Sequence, residues 1–90
     1  MPERREHHRV IFRRDVYLSL PDGQATSCVS EDFSMYGMAV LTDAPLGVAQ
    51  ILYVDFKILS QSDWREVNLR GKVVYSSVEA NQFKSGISFF

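Results

Sequence analysis

The sequence predicts an all-β domain, a six-stranded antiparallel barrel or compact sandwich. Three observations carry that expectation. Short apolar segments alternate with a period of two, turn chemistry breaks them at short and regular intervals, and no stretch shows the period of an amphipathic helix. The chain has 90 residues, 46 % hydrophobic and 23 % charged. That suits one domain with a core of its own.

The first expected strand has Val16, Leu18 and Leu20 alternating with Tyr17 and Ser19. Pro21-Asp22-Gly23 ends it, since proline presets φ and glycine admits φ > 0. A second strand covers about Gln24–Ser30. Glu31–Gly37 lacks a clear period and reads as a loop. Met38–Thr42 forms a third strand, closed by the breaker Asp43-Ala44-Pro45-Leu46-Gly47. In the fourth, Ile51–Leu59, one face carries Leu52, Val54, Phe56 and Ile58, and the other carries Asp55 and Lys57. After a turn at Ser60–Asp63, a fifth strand runs Arg65–Val78 with Val67, Leu69, Val73 and Tyr75 in phase. Gly71 falls on the same apolar phase and predicts a bulge or tight bend there. Glu79–Gln82 turns into the sixth strand, Phe83–Phe90. The segment Ile87-Ser88-Phe89-Phe90 stops inside an apolar strand, which reads as a fragment or a domain whose next element is missing.

No apolar run approaches the roughly 20 residues of a membrane span, and no signal-peptide pattern opens the chain. The lone Cys28 has no disulfide partner, so a reducing, cytoplasmic setting is expected. The formal net charge of −1 is unevenly placed. Residues 1–15 hold Arg4, Arg5, Arg9, Arg13 and Arg14 against Glu3, Glu6 and Asp15, which is +2. The rest carries −3, from five basic and eight acidic residues. An arginine-rich arm of this kind points to an anion, because the guanidinium fork matches phosphate and base edges.

No catalytic set stands out, and the chain reads as a binding domain rather than an enzyme. His7 and His8 lie in the polar arm, where no fixed geometry holds a general base and no further ligands complete a metal site. Two patterns are more specific. Arg5-x-x-x-Arg9 places two forks where one takes a phosphate bidentately and the other stacks on a purine or reads its edge. Arg9 and Arg13 repeat the spacing. In Asp32-Phe33-Ser34-Met35-Tyr36-Gly37, Asp32 and Ser34 lie two apart and point to the same side of an extended backbone. The carboxylate accepts from a guanine N1–H and N2–H₂ edge, the hydroxyl adds a further bond, and Gly37 permits a turn or a close backbone approach to a ligand. The structural use of the same residues is an Asx- or Ser-stabilised turn.

In this order on a small β-domain, Arg5-x-x-x-Arg9 and Asp32-x-Ser34-x-x-Gly37 resemble the paired signature of the PilZ domain family. Gly86-Ile87-Ser88-Phe89 is similar to that family's last strand. The resemblance implies a six-stranded barrel over residues 10–90, with residues 1–9 as a flexible basic arm and Val10-Ile11-Phe12 leading into the barrel. It implies a receptor for cyclic di-GMP, with no other cofactor and no metal. Arg5 and Arg9 would bind phosphates and guanines, Asp32 and Ser34 would bond a guanine, and Gly37 would keep the loop shape. Arg4, directly before the first motif arginine, implies uptake of a stacked ligand dimer. The chain departs from the resemblance in two places: Tyr36 stands where many members have a second glycine, and a C-terminal helix is absent or truncated.

Ligand binding is then expected to order the arm, a change that a protein partner or an adjoining domain reads. One rival is a small nucleic-acid-binding barrel, disfavoured by the −3 barrel and by assigning Phe12, Tyr53, Phe56, Tyr75, Phe83 and Phe89 to the core. Another is a PilZ-like interaction module that binds no nucleotide.

Overall fold

The computed structural model describes residues 10–11 and 13–90. Seven strands appear in order: β1 (Val10–Ile11), β2 (Asp15–Ser19), β3 (Ala25–Ser34), β4 (Gly37–Thr42), β5 (Ile51–Ser60), β6 (Asp63–Glu79) and β7 (Gln82–Phe89). All pairings are antiparallel, and β3 closes the sheet by pairing with β4. The ring therefore runs β3-β2-β5-β6-β7-β4 and back to β3. β1 adds no seventh stave: it pairs with Asp32 and Phe33, while β2 pairs with Ala25–Val29 of the same strand. Thus β1 and β2 form one interrupted edge. Ser30 bridges the break, its hydroxyl accepting from the Arg14 N–H at 3.0 Å while its own N–H donates to the Arg14 carbonyl at 2.9 Å.

The six expected strands and the antiparallel barrel are therefore present, and no helix occurs among the described residues. The proposed arm, residues 1–9, lies outside them. Turn chemistry sets the joints. Gly23 takes a φ of 92°, and Asp22 Oδ1 accepts from the Gln24 N–H at 2.9 Å, an Asx turn. Gln61 and Ser62 both have positive φ, 52° and 72°, which gives the β5–β6 hairpin the twist of a primed two-residue turn.

Inward positions of every stave build one core. Val16, Leu18, Met38, Val40, Leu52, Val54 and Val73 are fully buried, with Phe56 and Ile87 almost so. Leu46 joins them from the β4–β5 loop. Phe33 packs its ring against Phe56 and Phe89, with centroids 5.6 and 6.0 Å apart.

Three expectations need correction. Glu31–Gly37 is not a loop: β3 continues to Ser34 and β4 begins at Gly37, which leaves Met35-Tyr36 as a tight connection. The missing period comes from a bulge at Glu31, because Ser30 pairs with Val40 and Asp32 already with Ala39. The bulge expected at Gly71 sits instead at Val74, between Val73 and Tyr75. Gly71 serves close packing: a Cβ there would run into Ile87 Cγ2 and meet the Ser88 carbonyl oxygen at 3.2 Å. Finally, Tyr53 and Tyr75 are exposed rather than core. Tyr53 shares the outer phase with Asp55, and the Val74 bulge turns Tyr75 outward. Of the other ring assignments, Phe56 is core, Phe83 and Phe89 are half-buried, and Phe12 lies outside the described residues.

Cys28 is buried at 8 % exposure, and desolvation pushes its thiol up from the ordinary 9.0 to about 11. A folded value above the unfolded one favours the folded state fully below about pH 9, and this contribution disappears as pH rises through the folded value. Wild-type protein should lose up to roughly 2–3 kcal/mol of stability from this group between pH 9 and 11. Comparing the pH dependence of thermal unfolding with that of Cys28→Ala checks it, since the variant lacks that share of the loss.

Candidate functional site

The Glu31 bulge decides where the signature carboxylate sits. Cys28 and Ser30 are buried and in phase, so an unbroken period of two would aim Asp32 into the core. The extra residue shifts the phase: Phe33 falls on the core phase opposite Met38, while Asp32 and Ser34 fall on the opposite phase, paired with Ala39 and Gly37, with Asp32 half-buried and Ser34 buried. Asp32 and Ser34 thus share one strand phase, set by an irregularity that the sequence did not advertise. Glu31 itself pairs with Lys84 on β7 at 2.8 Å, and this hydrogen bond raises the Lys84 ammonium above its usual pKa.

Each signature residue also shapes the β3–β4 hairpin. Asp32 Oδ1 accepts from the Ala39 N–H at 3.2 Å. Ser34, 4 % exposed, accepts from the Tyr36 N–H at 3.2 Å and donates to the Gly37 carbonyl at 3.4 Å. This is the Ser-stabilised turn that the sequence offered as the structural use. Gly37 does not have a positive φ. Its lack of a side chain is needed for another reason, because a Cβ would run into the Ile87 carbonyl of β7, whose backbone passes directly behind it. The close approach expected at Gly37 is thus to a neighbouring strand.

Cross-strand register extends the site past the signature. Asp32 pairs with Ala39, Ala39 with Gly86, and Gly86 with Tyr75. Beside this row runs Ser34–Gly37–Ser88. The outer surface between Asp32 and Tyr75 is therefore floored by small residues. A shallow recess of about 170 Å³ opens at the Tyr75 end of this surface, between Tyr36 and Tyr75, lined also by Gly37, Val74, Gly86 and Ser88 and not reaching Asp32. Tyr36 is 54 % exposed at its rim. Sequence reasoning left Tyr75 and Gly86 out of the site. The signal was available in the Gly86 of a strand otherwise rich in Phe and Ile, since glycine within a strand marks a close approach.

The chain enters the barrel at this site. β1 sets Ile11 opposite Asp32 and Val10 opposite Phe33, so the described residues begin one position from Ser34. Arg4, Arg5 and Arg9 lie outside the described residues. Arg9 directly precedes Val10, and Arg5 is five residues away, no farther than roughly 18 Å even at full extension.

A second cleft of about 320 Å³ lies on the β2–β5–β6 side, lined by Arg14, Tyr17, Asp55 and Trp64 among others. It carries none of the signature residues, and the Arg14 guanidinium sits 5.7 Å from the Trp64 ring centroid. Among the described residues, no cluster of His, Cys, Asp and Glu could hold a metal ion. No helix there is long and apolar enough to cross a membrane.

Comparison with known proteins gives a consistent result. A family described as the PilZ domain matches residues 3–90. A search of curated proteins found no match. The inhibitor of motility (MotI/DgrA) of Bacillus subtilis superposes with a TM-score of 0.84 at 16 % identity, covering 98 % of this chain and 43 % of that one. The Borreliella burgdorferi PlzA protein in complex with c-di-GMP gives 0.68 at 23 % identity, covering 96 % and 34 %. Escherichia coli YcgR in complex with c-di-GMP gives 0.74 at 17 % identity, covering 98 % and 38 %. At these identities the likeness is one of fold, and the chain spans less than half the length of each of the three.

Proposed function

The chain belongs to the PilZ domain family; from that premise we propose that it is a receptor for cyclic di-GMP, bound on the outer face of β3 and β4 where the chain enters the barrel. One observation carries the reading: the Glu31 bulge turns Asp32 outward, directly opposite Ile11 at the end of the arginine-bearing segment. Two of the similar solved structures, PlzA and YcgR, are themselves complexes with c-di-GMP.

The mechanism follows from charge and geometry. The ligand carries two phosphates and two guanines. Arg5 and Arg9 supply forks that bind phosphate bidentately and stack on a purine face. Asp32 accepts from a guanine N1–H and N2–H₂ edge, which distinguishes guanine from adenine because adenine offers no paired donors there. Ser34 and Gly37 hold the hairpin that presents Asp32. Neutralising the arm's arginines draws it onto the barrel, and this new surface signals to a protein partner or an adjoining domain. No bond is made or broken, so the domain acts as a receptor and not as an enzyme.

A calorimetric titration of the chain with cyclic di-GMP tests the reading. Saturable binding at about two ligands per chain is expected, the second molecule stacked on the first through Arg4. About one per chain would overturn the role of Arg4 alone. No heat and no saturation would overturn the assignment.

A further inference from the structure

We propose that Lys84 is a positioning residue of this site. By pairing with Glu31 it sorts the two adjacent carboxylates of the β3 bulge and leaves Asp32 as the one presented to the ligand. This role deepens the cyclic di-GMP reading and rests on it, and neither Glu31 nor Lys84 belongs to the signature motifs.

Residue counts show why the bulge needs sorting. The ladder fixes Ser30 opposite Val40, and the tight connection at Met35-Tyr36 fixes Ser34 opposite Gly37. Between those pairs β3 has three residues, Glu31, Asp32 and Phe33, whereas β4 has two, Met38 and Ala39. Turn and ladder together demand one extra residue on β3 without deciding which of the three it is. Packing excludes Phe33, whose ring lies against Phe56 and Phe89. Two arrangements remain, and they differ in which carboxylate stands opposite Ala39.

Each carboxylate has its own anchor in the arrangement observed. Asp32 Oδ1 accepts from the Ala39 N–H at 3.2 Å, and the Lys84 ammonium holds Glu31 at 2.8 Å. Lys84 stands on β7 opposite Leu41 of β4, so the contact spans β4 and ties the bulge to a strand with which β3 does not pair. Both side chains are only 26 % exposed, which shields the pair from screening by solvent and salt.

Without the ammonium, a half-buried carboxylate loses its cation beside a second carboxylate, an unfavourable state that the bulge must relieve by moving. The freed Glu31 then competes with Asp32 for the Ala39 N–H. It also adds a negative charge where a doubly anionic ligand has to dock. Lys84 thus acts on the ligand through Glu31 and Asp32 and not by touching it.

The test compares wild type with Lys84→Met, Lys84→Arg, Glu31→Ala and the double variant Glu31→Ala/Lys84→Met. Calorimetry gives the affinity for cyclic di-GMP, and amide spectra of the free protein follow Ala39. Lys84→Met keeps an aliphatic stem on β7 and is expected to lose about fivefold or more in affinity, the size of coupling within one polar network. Its Ala39 amide also shifts and exchanges faster, because the bond to Asp32 is contested. Lys84→Arg and Glu31→Ala bind as wild type does. Adding Glu31→Ala to Lys84→Met removes the competitor, and it restores both the Ala39 amide and an affinity within about twofold of wild type. A lysine that contacts the ligand itself behaves otherwise: the double variant stays as weak as Lys84→Met, and the proposal is overturned. Wild-type affinity in Lys84→Met overturns it equally. If wild type does not bind, the receptor reading fails by itself. The Ala39 amide, measured without ligand, then decides the sorting role, and an unmoved resonance in Lys84→Met refutes it.

Discussion

Arg5→Ala and Arg9→Ala each weaken cyclic di-GMP binding by about 30-fold or more, and the pair together abolish it, while the far-ultraviolet circular dichroism of the barrel stays unchanged. The size follows from what each side chain does. Truncating one partner of a desolvated, hydrogen-bonded charge pair costs about 2–5 kcal/mol, because the lost contact adds to the penalty of leaving the other charge unpaired. A ligand phosphate stripped of its guanidinium fork is in that position. Lysine at either place rescues only in part, since a point charge neutralises phosphate but neither forks nor stacks. The fold is unaffected because the ring closes through β3–β4 pairing and the core lies among staves that begin at Asp15. Calorimetric titration of the variants, with thermal unfolding alongside, measures both halves of the expectation.

Gly37→Ala acts on fold and site at once. The added methyl would meet the Ile87 carbonyl of β7, with the Ser88 Cα 3.5 Å away. These atoms are backbone, so no rotamer change relieves the clash, and β4 must move off β7 at their Gly37–Ser88 pair. Overpacking of this kind costs about 1–3 kcal/mol. For a domain of this size 2 kcal/mol is a fall of roughly 8–16 °C in melting temperature. Displacing the start of β4 also disturbs the carbonyl that Ser34 bonds and the hairpin that carries Asp32, so affinity falls with stability. Gly23→Ala is the control. Gly23 has a φ of 92° with nothing near its missing side chain, so the substitution carries only a turn penalty, and binding is unchanged. Thermal unfolding and ligand titration of both variants decide the comparison. Equal melting temperatures for wild type and Gly37→Ala would contradict the close-approach role.

Strand order and composition were legible because the staves obey one rule over most of their length. Leu52, Val54 and Phe56 alternate with Tyr53 and Asp55, and the structure buries the first set as the alternation requires. What the sequence concealed was phase. A bulge adds one residue without a marker of its own, so Glu31 read as the start of a loop and Tyr75 as in phase with Val73. Both misreadings fall on the candidate site. The signature residues Asp32, Ser34 and Gly37 were legible by their spacing, yet the reason they share a surface with Tyr75 and Gly86 lies in pairings between strands far apart in sequence. The exposed Tyr53 and Tyr75 also remove part of the case against polynucleotide binding. What still counts against it is charge, since residues 16–90 carry −3 and repel a long polyanion.

The most direct test of the central claim is a titration of isotopically labelled protein with cyclic di-GMP, followed by amide chemical-shift mapping. Binding at the signature face predicts the largest shifts at Asp32–Ala39, Tyr75 and Gly86–Ser88, with the Tyr17, Asp55 and Trp64 cleft unmoved. Shifts centred on that cleft, or no saturable shifts at all, would contradict it.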